Sequence, residues 1–502
     1  MSGKYDRRTF LRCLGVGAAA LGGGVLGRQR AAASGRKPNI LFVYTDDQAA
    51  WTVGASGNAQ SKTPNLDRLV REGAYLKNAF VTTPVCSPAR ASLLTSRYGT
   101  ELGILDFIPH PKHKLYTPDT ATIGLDPSLV TFPEVLAAAG YTTGLVGKYH
   151  VGDWTETEDK QFHPLNNGFQ YFMGLTGGGT SPENPPLEKD GKVQEFKGLT
   201  TDILADHAIA FLQEHRDEPF LLCLHHRAPH AKWLPVAPED WAPYADLDPE
   251  IPNPEYPDLD TEKVKRMMRE YLASVRGVDR NLGRVLAALD ELGLSENTIV
   301  IFSADHGYNM GHNGIWHKGN GIWATKTLPL ATENIASKYR PNLYDNSLRV
   351  PTIVRWPGVI APGTVVTETV SSLDWYPTLA AMAGAAVPKG TLVRGRNFLP
   401  LLKGERVADW DNDFYAEYSM THYSRTHMRA YRTPKWKLVR DFLNPERDEL
   451  YDLEQDPAES TNRIHDESPE VKQVIAALHA RIIEHMRRTG DPILSLAQEG
   501  SP

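Results

Sequence analysis

The sequence predicts an α/β protein: a mostly parallel sheet sandwiched by helices, followed by a smaller C-terminal α+β domain. Three observations carry that expectation. Short unbroken apolar runs alternate with helical segments through the first 400 residues, the pattern of strands covered on both faces. Four of those runs break abruptly into carboxylates, imidazoles or amines. Beyond about Asp409 the pattern changes to short aromatic-rich strands and one amphipathic helix.

The first strand covers 39–44 (NILFVY) and stops at Thr45-Asp46-Asp47. A helix over 132–139, ended by Gly140, feeds a strand over 141–146 that runs into Gly147-Lys148-Tyr149-His150. The helix 201–214 leads to strand 220–224 and then His225-His226-Arg227-Ala228-Pro229-His230. The helix 263–292 leads to strand 298–302, which ends in Ser303-Ala304-Asp305-His306-Gly307. Residues 350–355 form one more strand and 375–383 one more helix. Ligands of such open sheets sit outside the carboxyl ends of the strands. One polar strand end is an ordinary loop; four at one edge make a charged site floor. Residues 176–198 and 234–261, the latter with seven prolines, read as loops over that edge. The catalytic α/β domain is expected over 34–400. The C-terminal domain covers 401–502, with strands at 413–418 and 436–441 and a helix at 468–488.

Across 502 residues, 54 Lys+Arg stand against 61 Asp+Glu, a net charge of −7, and 41% of residues are apolar. The balance supports a large core and gives no basic surplus for a nucleic-acid partner. Three cysteines exclude a disulfide scaffold. Arg7-Arg8, a Gly/Ala-rich apolar run over 14–27 and Ala31-Ala32-Ala33 follow the layout of an export signal. The arginine pair resembles a twin-arginine (Tat) signal, with cleavage after about Ala33. Loss of 1–33 removes six basic side chains and Asp6, leaving an exported, periplasmic or extracellular chain of net charge −12.

Cys223 sits in an apolar run and reads as a buried thiol. Cys86 is different. Cys86-Ser87-Pro88-Ala89-Arg90 precedes a helix over 91–96, with Ser87 suited to the N-cap and Pro88 to the first helical position. A thiol at a helix N-terminus with Arg90 one turn on is expected to be acidified and reactive.

The string 86–95 (CSPARASLLT) resembles the signature of the type I sulfatases of the alkaline-phosphatase-like superfamily. Asp46-Asp47-Gln48, Thr63-Pro-Asn-Leu-Asp67, Gly147-Lys148-Tyr149-His150, Ala228-Pro229-His230, Asp305-His306-Gly307 and His317-Lys318-Gly319 extend the resemblance over nearly the whole mature chain. Two positions depart from the family's usual pattern: Ser96 where glycine commonly stands, and His306 where many animal members have asparagine.

The resemblance implies a sulfuric ester hydrolase whose signature cysteine, Cys86, is oxidised to formylglycine by a formylglycine-generating enzyme. The hydrated aldehyde then attacks sulfur. One divalent cation, calcium, is implied at Asp46, Asp47, Asp305 and His306, completed by residue 86; oxygen-rich ligation suits that ion. Arg90 and Lys148 are implied to orient the nucleophile, and His150 to serve as the base. Lys148 and His150, two apart, fall on one face if the segment is extended. His230 and Lys318 are implied to bind sulfate and protonate the leaving oxygen. His312, Trp316 and His317 are candidates for the substrate pocket. The expected substrate is a sulfated carbohydrate of the kind consumed in polysaccharide degradation, or an aryl sulfate. The rivals are a phosphonate, phosphodiester or phosphate monoester hydrolase on the same fold, and a non-catalytic sugar-binding relative with Cys86 unmodified.

Overall fold

The computed structural model describes residues 36–156 and 160–499, so the export segment expected over 1–33 lies outside the described residues. Every residue of β1 (Asn39–Thr45) is buried, as an unbroken apolar run requires of a strand covered on both faces. Nine further strands complete its sheet. They are β2 (Ala74–Leu76), β3 (Thr142–Lys148), β4 (Tyr171–Leu175), β5 (Pro186–Lys189), β6 (Lys192–Glu195), β7 (Phe220–His225), β8 (Thr298–Ala304), β9 (Ile353–Arg355) and β10 (Thr364–Val366). Their spatial order is β10-β2-β9-β8-β1-β7-β3-β4-β5-β6. The five central strands β8, β1, β7, β3 and β4 run parallel. Antiparallel pairing begins at β9 on one side and at β5 on the other. The sheet is parallel where the site is built and mixed at its flanks.

Alternation along β1 divides the core in two. Ile40, Phe42 and Tyr44 pack with Leu136 of α3 (Phe132–Ala138) and with Trp375 and Leu379 of α6 (Trp375–Ala383). Leu41 and Val43 pack with Leu66 of α1 (Pro64–Glu72), Leu204 of α4 (Thr200–Glu214) and Leu282 of α5 (Thr261–Glu291). Helix α2 (Cys86–Thr95) is buried along its entire length on the first face.

Register then aligns the strand ends. Thr45 is level with Ala304, and Tyr44 and Gly147 are both level with His225. Asp46, Lys148 and Asp305 therefore leave the sheet side by side. Gly147 permits this closeness: its φ is +115°, and a Cβ there would lie 1.9 Å from the His225 carbonyl oxygen.

Two expected loops carry more structure than the sequence suggests. Residues 176–198 contain the β5–β6 hairpin, which extends the main sheet. Strand β6 is exposed throughout, so it has no apolar pattern to announce it. Residues 234–261 contain short helical turns, and Tyr244 and Leu259 are buried against Met267 and Tyr271 of α5.

The C-terminal sheet is an antiparallel meander of β11 (Phe414–Met420), β12 (Thr426–Arg432), β13 (Trp436–Asp441) and β14 (Glu449–Asp452). Leu438 and Leu450 pack under α7 (Pro469–Thr489) through Leu478 and Ile482. Ala416, Tyr418, Met428 and Ala430 belong to the same apolar cluster as α2 and α6. The small sheet is thus seated on the large domain. Among the described residues no helix is long and apolar enough to cross a membrane.

Candidate active site

Cys86 opens α2 two residues earlier than a Ser87 cap and a Pro88 start suggest, after Val85 in extended conformation. Ser87 is not the N-cap; its hydroxyl accepts from the backbone N–H of Ile108 at 3.0 Å. The Cys86 Sγ lies 3.3 Å from Asp46 Oδ1, 3.4 Å from His306 Nε2 and 3.0 Å from Lys318 Nζ. Lys148 Nζ, at the end of β3, donates to Asp46 Oδ2 at 2.6 Å. Lys318 Nζ donates to Asp47 Oδ1 at the same distance. Arg90 Nε pairs with Asp305 Oδ2 at 2.9 Å, and its Nη1 donates to the Lys148 carbonyl.

All these groups are buried, so their charges act on one another with little screening. Burial alone would raise the Asp46 carboxyl; Lys148, then His230 and Lys318, outweigh it and hold that carboxyl well below its usual range. Asp47 is held low in the same way, chiefly by Lys318. Asp305 moves the other way, raised by burial and then by the neighbouring Asp46 charge. The expectation of an acidified thiol is corrected here. Burial and the Asp46 carboxylate push Cys86 up to about 12, while Arg90 is committed to Asp305. Cys86 as a thiol is a poor nucleophile in this position.

One donor atom each from Asp46, Asp47, Cys86 and His306 falls within 4.8 Å of the others. His306 Nε2 is 3.1 Å from Asp47 Oδ1 and 3.3 Å from Asp305 Oδ1. Asp305 stands at the edge of that group rather than inside it, because Arg90 and the backbone N–H of Asp47 share its oxygens. Asp47 reaches inward with φ +66°, fixed by the Tyr271 hydroxyl donating to its carbonyl at 2.6 Å. Its Oδ2 is buried without a hydrogen-bond partner. Carboxylate oxygens with one imidazole nitrogen and an unsatisfied buried oxygen fit a hard divalent cation.

The histidines have assignable protons. His150 Nε2 is 2.8 Å from the Ile108 carbonyl oxygen, which only accepts, so Nε2 carries the hydrogen and Nδ1 offers a lone pair. That Nδ1 is buried without a partner. Burial and then Lys148 keep the ring neutral. The expected extended segment through Lys148 and His150 is corrected: β3 ends at Lys148, and His150 has φ +60°. His230 Nδ1 lies 2.6 Å from the Ala231 carbonyl oxygen, so its Nε2 is the acceptor of the neutral ring. Burial holds His230 down at about 4, against Asp47 and Asp46.

Cys86, His150, His230, His317 and Lys318 all line one cleft of about 560 Å³. Of the three expected pocket residues, only His317 is among them. His312 accepts from the Met310 N–H at 3.0 Å with its ring against Trp51. Trp316 packs near Trp233 in the cluster that covers α5. Both support the floor from behind. The cleft also takes Phe107, His110, Lys112, Lys338, Tyr339 and Tyr423, none of which lies in a motif.

Strand-end carboxylates around a helix-borne residue at the edge of this sheet define an alkaline-phosphatase-like hydrolase. The sulfatase family model matches residues 38–385, and the chain belongs to the sulfatase family. It is a sulfuric ester hydrolase. A second model, the C-terminal region of N-sulphoglucosamine sulphohydrolase, matches 339–488. The rat steryl-sulfatase is 30% identical over 81% of this chain and 77% of its own length. N-acetylglucosamine-6-O-sulfatase from Bacteroides thetaiotaomicron is 26% identical over 85% and 82%. BT4656, solved with its substrate D-glucosamine-2-N,6-O-disulfate, shares the fold at TM-score 0.74 and 23% identity, covering 91% of this chain and 99% of that one.

Proposed function

We propose that this protein is an exported sulfatase acting on sulfated carbohydrates, with residue 86 as its reacting centre and Asp46, Asp47, Asp305 and His306 around one calcium ion. The observation that carries this reading is the cluster of three ammonium or guanidinium groups and three carboxylates closed around Cys86. Calcium and a formylglycine at residue 86 supply, when present, a fixed positive charge beside the sulfuryl oxygens and a nucleophilic oxygen that a buried thiol lacks.

The remaining roles belong to the chain's own side chains. Lys318 and Lys148 hold positive charge where negative charge develops on the transferring group. Lys318 keeps its proton: burial would lower it, but Asp47 together with Cys86 and Asp46 raises it well above an ordinary lysine, and it is the group able to donate to the leaving oxygen. His230 in its neutral form has no hydrogen on Nε2, so it donates only after a bound anion draws a proton onto it. His150 Nδ1, with its free lone pair, is the base. Arg90 orients Lys148 through the backbone carbonyl it grips.

The glycan assignment is supported by the curated and solved relatives that act on or bind sulfated glucosamines. Export rests on the Arg7-Arg8 signal, with the Tat machinery and a formylglycine-generating enzyme as partners before export. Purified full-length protein is to be assayed on N-acetylglucosamine 6-sulfate and N-acetylglucosamine 6-phosphate, alongside peptide mass analysis of residue 86. Faster sulfate release with an aldehyde at residue 86 is expected. Faster phosphate release, or an intact thiol in active protein, overturns the reading.

A further inference from the structure

We propose that the cleft holds a second anion subsite, formed by Lys112 and Lys338, that selects substrates carrying another negative group besides the ester to be cleaved. The proposal rests on the sulfatase reading and adds to it the class of sugar preferred.

Composition is the first support. The whole chain is acidic, at −7, yet not one Asp or Glu lines the cleft. Asp46, Asp47 and Asp305 lie behind that lining, paired with Lys148, Lys318 and Arg90 respectively, so Lys112 and Lys338 are the unbalanced charges at the opening.

Commitment of the cations is the second. Lys318 is spent on Asp47 and Cys86 at the floor. Lys112 and Lys338 are exposed on other segments, and among the described residues neither side chain makes a hydrogen bond or ion pair. Neither is neutralised by a carboxylate. A monoanionic ester is satisfied at the floor and gives these two lysines nothing to neutralise.

The third support is a wall that fixes where a second charge falls. Tyr339 and Tyr423 stack at 5.2 Å and 14°, and Phe107 continues the row, 6.0 Å from Tyr423. Because these rings face one another, they form a rigid stacked block that borders the cleft and limits where a sugar can lie. Lys338 Nζ sits 5.6 Å from the centre of the Tyr339 ring, at the end of that wall. A sugar confined by that block with its reacting sulfate at residue 86 presents its other substituents to the rim lysines.

The test uses full-length C86A, which binds without turnover, and C86A/K112A/K338A. Calorimetry measures glucosamine 6-O-sulfate and glucosamine 2-N,6-O-disulfate with each. With C86A the disulfate is expected to bind about 10-fold tighter, less so as salt rises. With both lysines removed the ratio is expected to fall to about one. A disulfate no tighter than the monosulfate, a ratio that survives the lysine substitutions, or equal loss of both sugars overturns the subsite. The sulfate-versus-phosphate assay is independent of these ratios, so either idea can fail alone.

Discussion

Cys86 has three polar neighbours: the Lys318 ammonium, the Asp46 carboxylate and the His306 imidazole. Asp46 in turn is held by Lys148. The strand-end residues Asp46, Asp47, Lys148, Asp305 and His306 were legible, because each follows an apolar run directly. The thiol's pKa was not. A helix start argues for acidification, but burial and a carboxylate at 3.3 Å act more strongly than backbone dipoles here. At this scale Gly178 gives a sharp prediction. A Cβ there would lie 2.4 Å from His150 Cε1, and that ring is anchored by its bond to Ile108. G178A is expected to lower kcat about 10²-fold by displacing the base, with the fold intact by circular dichroism. Wild-type kcat in G178A would remove His150 from the base role.

Helix α2 ends at Ser96, in the left-handed conformation at φ +57°, where related sequences commonly carry glycine. The hydroxyl compensates. Ser96 Oγ donates to the Leu373 carbonyl at 2.8 Å and accepts from the N–H groups of Gly395 and Arg394 at 2.8 and 3.2 Å. It therefore fastens the helix that bears Cys86 to two distant segments, which the sequence departure alone does not disclose. S96A keeps the backbone strain and strands those buried groups, so it is expected to cost about 2 kcal/mol in denaturant unfolding. An unchanged midpoint would mean water replaces the hydroxyl. Strands β1, β7 and β8 were readable at this scale from their apolar runs. The β5–β6 hairpin was not, because its charged strands are held by backbone pairing at the sheet edge.

At the scale of the whole molecule, the C-terminal sheet closes both the core and the cleft. Its β11–β12 connection supplies Tyr423 to the lining of the cleft, and β11 places Glu417 against Thr100 just beyond α2. The cleft rim draws on segments near residues 107–113, 178, 320–339 and 423, so no local motif could reveal it. Burial raises Glu417 from 4.5 to about 7, opposed by Arg429. Below about 4.5 both folded and unfolded chains hold this proton. From 4.5 to 7 only the folded chain keeps it, so its contribution to stability falls as pH rises and is flat above. E417Q is expected to remove that slope, worth up to about 3 kcal/mol between pH 4.5 and 7, in urea midpoints compared with the parent. Identical slopes would place the Glu417 carboxyl at an ordinary value.

Sulfate release is proposed to turn on residue 86. Sulfate release from N-acetylglucosamine 6-sulfate by C86A, prepared beside the parent protein, tests it most directly. A fall in kcat/KM of about 10³-fold or more is expected with the cleft still binding sugar. Release by C86A at the parental rate would contradict the mechanism.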